Sequence, residues 1–290
     1  MMFELNTSAL EHWIRLWLDE DIGNGDITTL TTIPLEQHSL GVIHVKETGM
    51  LAGLPVAQAV FAIVDPLLSF KARAQEGSLV EKGTIVAEVE GNTRSILLGE
   101  RLALNLMQRL SGIATKTNQY VQALEGSKVR LVDTRKTTPG HRLLEKYAVR
   151  VGGGYNHRFG LYDAVMIKDN HIKGAGGITI AIESARKAIP HTMKIEVEVE
   201  SFPQLKEALT ARPDIIMLDN MQPSDMRKAV DIIKNEAPHI LVEASGMVTL
   251  ETIKAIADAG VDVISVGRLT YSVQALDISL DLDKRKGTLP

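Results

Sequence analysis

From Lys194 to Glu200 the chain alternates without a break. Lys194, Glu196, Glu198 and Glu200 fall on one face, and Ile195, Val197 and Val199 on the other. A period of two predicts a β-strand, and a half-exposed strand would show the same pattern. The surroundings argue for a different placement. Around this stretch the chain repeats strand, polar cluster and helix several times, which is the pattern of a parallel β/α barrel. In a barrel the apolar face packs on the outer helices and the other face looks inward. Three glutamates would then point into the interior. Buried like charges are costly unless cations or metal ions pair with them. The neighbouring strands are therefore expected to supply cations.

The repeat starts at Val129. Strands are predicted at 129–132, 164–167, 194–200, 214–218, 239–242 and 261–265, with helices at 141–151, 177–188, 202–210, 224–235 and 250–259. An eight-stranded barrel is thus either incomplete or contains a strand that the pattern hides. The strand ends carry Arg135 and Lys136, Lys168 and His171, Glu198, Asp219, Glu243 and Ser245, and Gly267 and Arg268. In a parallel barrel these ends share one rim, where active sites sit.

The rim has two halves. Arg135, Lys136, His157, Arg158, Lys168 and His171 form a cationic group, suited to a ligand with several carboxylates or phosphates. Taken singly, each fits a surface charge or a structural ion pair; on converging loops they predict an anion pocket. Glu198 and Asp219 form the acidic half. Without cysteine or a histidine triad, two carboxylates suit Mg²⁺ or Mn²⁺ better than zinc. The alternative is that they only countercharge Lys168 and Arg135. Glu243-Ala-Ser-Gly246 and Ser265-Val266-Gly267 close the last two strands, where barrels often bind phosphate on glycine N–H groups. Ser245 and Thr249 are also candidate helix caps. The residues by themselves define a barrel enzyme for a ligand bearing phosphate and carboxylates, and they leave the reaction open.

The first part of the chain reads as an α+β unit. A helix is predicted at 8–18, with Ser8 as its cap and Glu11 completing a capping box. Gly23 and Gly25 mark tight turns. Strands follow at 40–48, 67–75 and 84–90, and a helix at 55–64. Residues 94–124 form a long helical stretch, with a break expected near Ser111-Gly112. On it Arg101, Asn105 and Arg109 share a face at four-residue steps. That stripe fits a solvated face, a subunit interface or an anion site. Of the 290 residues 44% are hydrophobic and 23% charged, and the net charge of −4 gives no reason to expect nucleic acid or an acidic membrane as partner. The absence of cysteine excludes disulfides, thiolate chemistry and cysteine-ligated metals. No apolar run approaches a membrane span, and the N-terminus lacks a basic region followed by an apolar core. A cytoplasmic location is the default expectation.

At Asp133-Thr-Arg-Lys-Thr-Thr-Pro-Gly140 the pattern becomes specific. Together with Asn156-His-Arg158, Ile167-Lys-Asp-Asn-His171, Glu196-Val-Glu198, Leu218-Asp-Asn220, Glu243-Ala-Ser-Gly246 and Ile264-Ser-Val-Gly267, it closely resembles the quinolinate phosphoribosyltransferases. The stretches Glu20–Thr29 and Glu100–Ala114 match as well, so the resemblance spans nearly the whole chain. It implies an α/β plus α+β fold: an incomplete parallel β/α barrel over 113–274 and an N-terminal α/β sandwich domain over 1–112, rejoined by the tail 275–290. It implies the conversion of quinolinate and phosphoribosyl pyrophosphate to nicotinate mononucleotide, pyrophosphate and carbon dioxide, with Mg²⁺, in NAD biosynthesis. It also implies a dimer, or an assembly of dimers, with shared active sites.

By that resemblance Arg135, His157, Arg158 and Lys168 hold the two quinolinate carboxylates, with help from Thr134, and Arg101 is lent by the partner subunit. Lys136 contacts phosphoribosyl pyrophosphate, and Glu198 and Asp219 meet the ribose hydroxyls and the metal. Ser245, Gly246 and Gly267 cradle the 5′-phosphate, in loops that also include Met247, Val266 and Arg268. Lys136, Lys168, Glu198 and Asp219 are the catalytic candidates, and either lysine could assist decarboxylation. Three positions depart from the family pattern. Met247 replaces a glycine but still offers its N–H. Arg268 replaces a small residue and could meet phosphate or salt-bridge to Glu243. Tyr271 stands where histidine is frequent. Two rivals are a similar paralogue associated with molybdenum transport and a non-catalytic sensor of phosphorylated metabolites. The intact Ile167–His171 motif speaks against the first, and the acidic pair against the second.

Overall fold

A computed structural model gives the structure of the protein and describes residue 5 and residues 7–283. The ends of the expected sandwich domain and tail, residues 1–4, 6 and 284–290, lie outside the described residues. In chain order the elements are α1 (Thr7–Ile22), α2 (Ile27–Thr32), β1 (His38–Val45), β2 (Gly49–Met50), α3 (Leu54–Val64), β3 (Ser69–Ala72), β4 (Leu79–Val80), β5 (Ile85–Asn92) and α4 (Thr93–Ala123). Then come β6 (Arg130–Val132), α5 (Arg142–Val151), β7 (Val165–Ile167), α6 (Asp169–Ala175), α7 (Ile178–Ala188), β8 (Ile195–Val199), α8 (Phe202–Ala211) and β9 (Ile215–Asp219). The last are α9 (Pro223–Glu236), β10 (Leu241–Ser245), α10 (Ile253–Asp258), β11 (Val263–Ser265), α11 (Arg268–Tyr271) and β12 (Ile278–Asp283). Two compact units emerge. One draws on residues 1–118, 138–153 and 272–290, the other on 119–137 and 154–271.

The first unit is built on an antiparallel sheet in the order β12-β1-β5-β3. The tail joins it through β12, with Ile43 opposite Leu280 and Val45 opposite Ile278. These four residues are buried, so the pairing also closes an apolar face. The turn expected at 20–29 is present: Gly23 and Gly25 have φ of +50° and +123°, and Asp26 caps α2 by accepting the Thr29 N–H at 3.0 Å. Ser8, expected as a cap, lies inside α1.

The break expected near Ser111-Gly112 is not there; α4 runs on for 31 residues. Both small residues serve close packing. A Cβ on Gly112 would lie 2.1 Å from the Gln274 carbonyl oxygen. The buried Ser111 hydroxyl accepts the Ala52 N–H at 2.9 Å and donates to the Ala52 carbonyl at 3.0 Å. Gln108 Nε2 donates to the Ile278 carbonyl at 2.7 Å, which fastens the tail strand to the helix.

Helix α5, which the sequence places in the barrel half, falls in the first unit. Its Glu145 is fully buried and accepts Arg109 Nε at 3.2 Å and a second guanidinium nitrogen at 2.7 Å. The Tyr147 hydroxyl donates to Glu76 at 2.8 Å, and Glu76 in turn accepts the first N–H groups of α3. This chain of buried and half-buried polar contacts holds α5 against α3 and α4.

The second unit carries a wholly parallel sheet in the order β6-β11-β10-β9-β8-β7. Counted along the chain, that order is one-six-five-four-three-two. It is the order of a barrel in which the first and second strands stay apart. Among the described residues the sheet has six strands, and a single bridge, Val132 to Tyr155, lies on the open side. The barrel is incomplete, as the resemblance implies. Helix α6, read from sequence as loop, begins directly after β7, and 250–252 form turns ahead of a shorter α10. Among the described residues no helix is long and apolar enough to cross a membrane.

Replacing Gly112 by alanine forces the α4 and Gln274 backbones apart. The Gly112→Ala protein is expected to be less stable by about 1–3 kcal/mol, seen as a lowered midpoint in thermal or urea unfolding.

Candidate active site

Strand β8 is buried along all five of its residues. Its alternation therefore does not separate solvent from core. The valines and Ile195 pack outward, while Glu196 and Glu198, 3% and 7% exposed, face the interior. Each finds a cation on a neighbouring segment. Lys168, at the end of β7, donates to Glu198 Oε2 at 2.9 Å. His157 Nε2 lies 3.3 Å from Glu196 Oε2 and 3.5 Å from Glu243 Oε2. Glu200, at the end of the strand, is exposed.

His157 arrives through the open side of the sheet. Tyr155 donates to the Leu131 carbonyl and accepts the Asp133 N–H, so residues 155–158 run beside β6 as a substitute for the missing strand pair. Asp133 is fully buried and anchors the segment. Its carboxylate accepts the His157 N–H at 2.9 Å and Asn156 Nδ2 at 2.6 Å. Burial favours a neutral His157 ring, but Glu196 and Glu243 outweigh it and push its pKa up to about 10. The Arg158 N–H points at Nδ1 from 2.7 Å. Nδ1 thus accepts, and the ring proton that the two carboxylates hold is the one on Nε2, which faces both. Burial and then Arg135 lower the Arg158 pKa. Two guanidinium groups that repel each other in this way are poised to gain from a bound anion.

These groups line a cavity of about 690 Å³ in the second unit. It collects Thr134, Arg135, Lys136, His157, Arg158 and Lys168 with Glu198 and Asp219, and adds Ser245, Gly246, Met247, Val266, Gly267 and Arg268. Of the residues expected there from sequence, Arg101 and His171 are missing; Arg101 is exposed on α4 in the first unit, 3.9 Å from Glu100. His171 is exposed; its Nδ1 accepts the Lys168 N–H at 2.9 Å, so it orders the start of α6 instead of lining the cavity. The sequence missed Met166, Met217, Asn220 and Val248 as lining residues. Strand parity was the available signal for Met217, which registers with Glu198 across the β8–β9 pair.

Glu198, Glu200 and Asp219 each bring an oxygen within 4.8 Å of the others. Burial raises the Asp219 pKa first and the Glu198 charge raises it further, while Lys168 and Lys136 oppose. A trio of hard oxygen donors whose mutual repulsion is only partly relieved fits a divalent cation such as Mg²⁺.

Beside Asp219, with which it pairs, β10 finishes at Ser245, followed by Gly246 at φ +83° and Met247 at φ +49°. Met247 thus adopts a left-handed backbone that glycine takes without strain, and it points 67% exposed. Thr249 and Ser245 are not side-chain caps of α10, whose N-cap is Thr252. Glu243 faces His157, so the salt bridge considered for Arg268 does not form; Arg268 acts instead on Glu251 and Tyr120. Gly267 leaves room that a Cβ would take from Lys136 and Tyr271, each 3.0 Å away.

The rim of this parallel barrel gathers cations, carboxylates and glycine turns into one cavity, and so belongs to a β/α-barrel enzyme acting on anionic, phosphorylated substrates. Comparison with known proteins narrows the class. Residues 26–111 match the quinolinate phosphoribosyl transferase N-terminal domain and residues 113–281 its C-terminal domain. The chain belongs to the quinolinate phosphoribosyl transferase family. It is 48% identical over 273 residues to the probable carboxylating nicotinate-nucleotide pyrophosphorylase of Synechocystis, covering 94% of this chain and 92% of that one. It is 45% identical over 278 residues to the corresponding protein of Bacillus subtilis, covering 96% and 95%. Among solved structures, NadC from Streptococcus pyogenes superposes with a TM-score of 0.91 at 41% identity, covering 97% of this chain and 98% of that one.

Asp133 holds the His157 segment without touching the cavity. Asp133→Ala is expected to cost about 1–3 kcal/mol for the donors left buried, measured by denaturant unfolding.

Proposed function

We propose that the chain transfers the phosphoribosyl group of phosphoribosyl pyrophosphate to quinolinate and decarboxylates the product, giving nicotinate mononucleotide, pyrophosphate and carbon dioxide for NAD biosynthesis. The observation that carries this reading is the cavity itself, which brings a cationic group, an acidic one and glycine turns together. Arg135, His157, Arg158 and Lys168, with Thr134, hold the two ring carboxylates. Lys136 meets the pyrophosphate, Glu198 and Asp219 the ribose hydroxyls, and the loops at 245–247 and 266–268 the 5′-phosphate.

The bond from the ribose to pyrophosphate breaks, and the pyridine nitrogen forms the new bond to the same carbon. Positive charge builds on the ribose as the leaving group departs, and the carboxylates of Glu198 and Asp219 stabilise it in this reading. The nitrogen then becomes cationic. The bond to the adjacent carboxylate breaks, its electron pair staying on the ring carbon, where the ring cation stabilises it until a proton arrives. Lys136 or Lys168 assists this step electrostatically. Holding the ring in place supplies much of the remaining barrier reduction. Glu198 and Asp219, with Glu200 near them, would hold Mg²⁺, which when bound neutralises charge on the leaving pyrophosphate. The assembly is a dimer or a set of dimers in the cytoplasm, each site completed by Arg101 of the neighbouring copy. The exposure of Arg101 beside the structural Arg109 supports that role.

Purified protein with phosphoribosyl pyrophosphate and Mg²⁺ is expected to form nicotinate mononucleotide from quinolinate and none from nicotinate. Product from nicotinate would overturn the double-carboxylate pocket, and full turnover in excess chelator would remove the metal. Arg101→Ala and Lys168→Ala proteins are each expected to lose most turnover, and mixing them should restore part of it through sites that combine the two intact halves. No recovery on mixing, with subunit exchange verified by mass, would sink the shared site.

A further inference from the structure

Asn220 follows Asp219 at the end of β9, and none of the roles above uses it. Its backbone is left-handed, with φ of +54°, a conformation asparagine tolerates better than most residues. From there it reaches three ways. Its side-chain Nδ2 donates to Asp219 Oδ2 at 2.5 Å. Its backbone N–H donates to the Ser245 carbonyl at 3.0 Å, beyond the last β9–β10 pair. Its Oδ1 fills the space beside Gly246, where a Cβ would lie 2.1 Å away.

We infer that Asn220 is a positioning residue that locks the Asp219 carboxylate and the Ser245–Gly246 turn into one rigid unit. The inference rests on the proposed roles of Asp219 and the 245–247 loop, and goes beyond them. Asp219 and Glu198 lie close and share a sign, so the Asp219 carboxylate would rotate away from its neighbour if nothing held it. The amide donor fixes one oxygen and leaves the other for ribose or metal. Ribose and 5′-phosphate belong to one ligand, so a fixed spacing between Asp219 and Gly246 matches a fixed spacing within phosphoribosyl pyrophosphate. The residues proposed for quinolinate, Arg135, His157, Arg158 and Lys168, are not among the contacts of Asn220.

The separation makes the test. Asn220→Gly keeps the left-handed backbone and its N–H but removes the side chain. Asn220→Asp keeps the shape but sets a carboxylate against Asp219. Calorimetric titration with phosphoribosyl pyrophosphate and Mg²⁺ is expected to show binding weaker by about 10- to 100-fold in both variants. Quinolinate affinity and the thermal midpoint should match the parent chain. Unchanged phosphoribosyl pyrophosphate affinity in Asn220→Gly would overturn the inference. So would equal loss of both ligands with a lowered midpoint, since that is the mark of a structural residue. A parent chain that binds neither ligand would overturn the substrate assignment, and the inference with it; a parent that binds both isolates the role of Asn220.

Discussion

Two glutamates on β8 look into the interior of a six-stranded sheet, and much of the rim is arranged to answer them. Glu198 takes Lys168 from β7, and Glu196 shares His157 with Glu243 from β10. A buried carboxylate without a partner is strongly unfavourable, so each cation is held where it is by a need of the fold as well as by its use. That need also accounts for the open side of the barrel. A closed sheet would pair β6 with β7 and leave no path for the 155–158 segment. By staying open it admits His157 and Arg158 from a loop anchored on Asp133.

Cations and carboxylates are interleaved within the cavity. Lys168 from the end of β7 meets Glu198 on β8, and His157 from the open side meets Glu243 on β10. Residues outside the direct contacts do part of this work. The buried Thr270 hydroxyl donates to the Lys136 carbonyl at 2.7 Å and so ties the first strand's loop to the last.

The first unit follows a different logic. Its long helix is fastened by polar contacts at small residues, Ser111 to Ala52 and Thr115 to Met50. The arginine stripe on that helix is not uniform. Arg109 is committed to the buried Glu145, whereas Arg101 is exposed. Identical chemistry at an eight-residue separation thus has two fates, decided by whether α5 covers the position.

The sequence by itself determined the six strands of the parallel repeat and most of the residues at its rim, because period-two and helical patterning place strand ends at one edge. Glu198 and Asp219 were legible for that reason, and so was the tail's return once the family motifs were recognised. It did not determine that α4 continues through Ser111-Gly112, since a glycine used for close approach reads like a glycine used to end a helix. Nor could it assign α5 to the first unit, because the contacts of Glu145 and Tyr147 join residues distant in the chain. The fates of His171 and Arg268, and the three-way hold of Asn220, depend on where side chains meet across strands. Only the tertiary structure decides these, because a polar residue's partner is set by geometry between elements and not by its own neighbours in sequence.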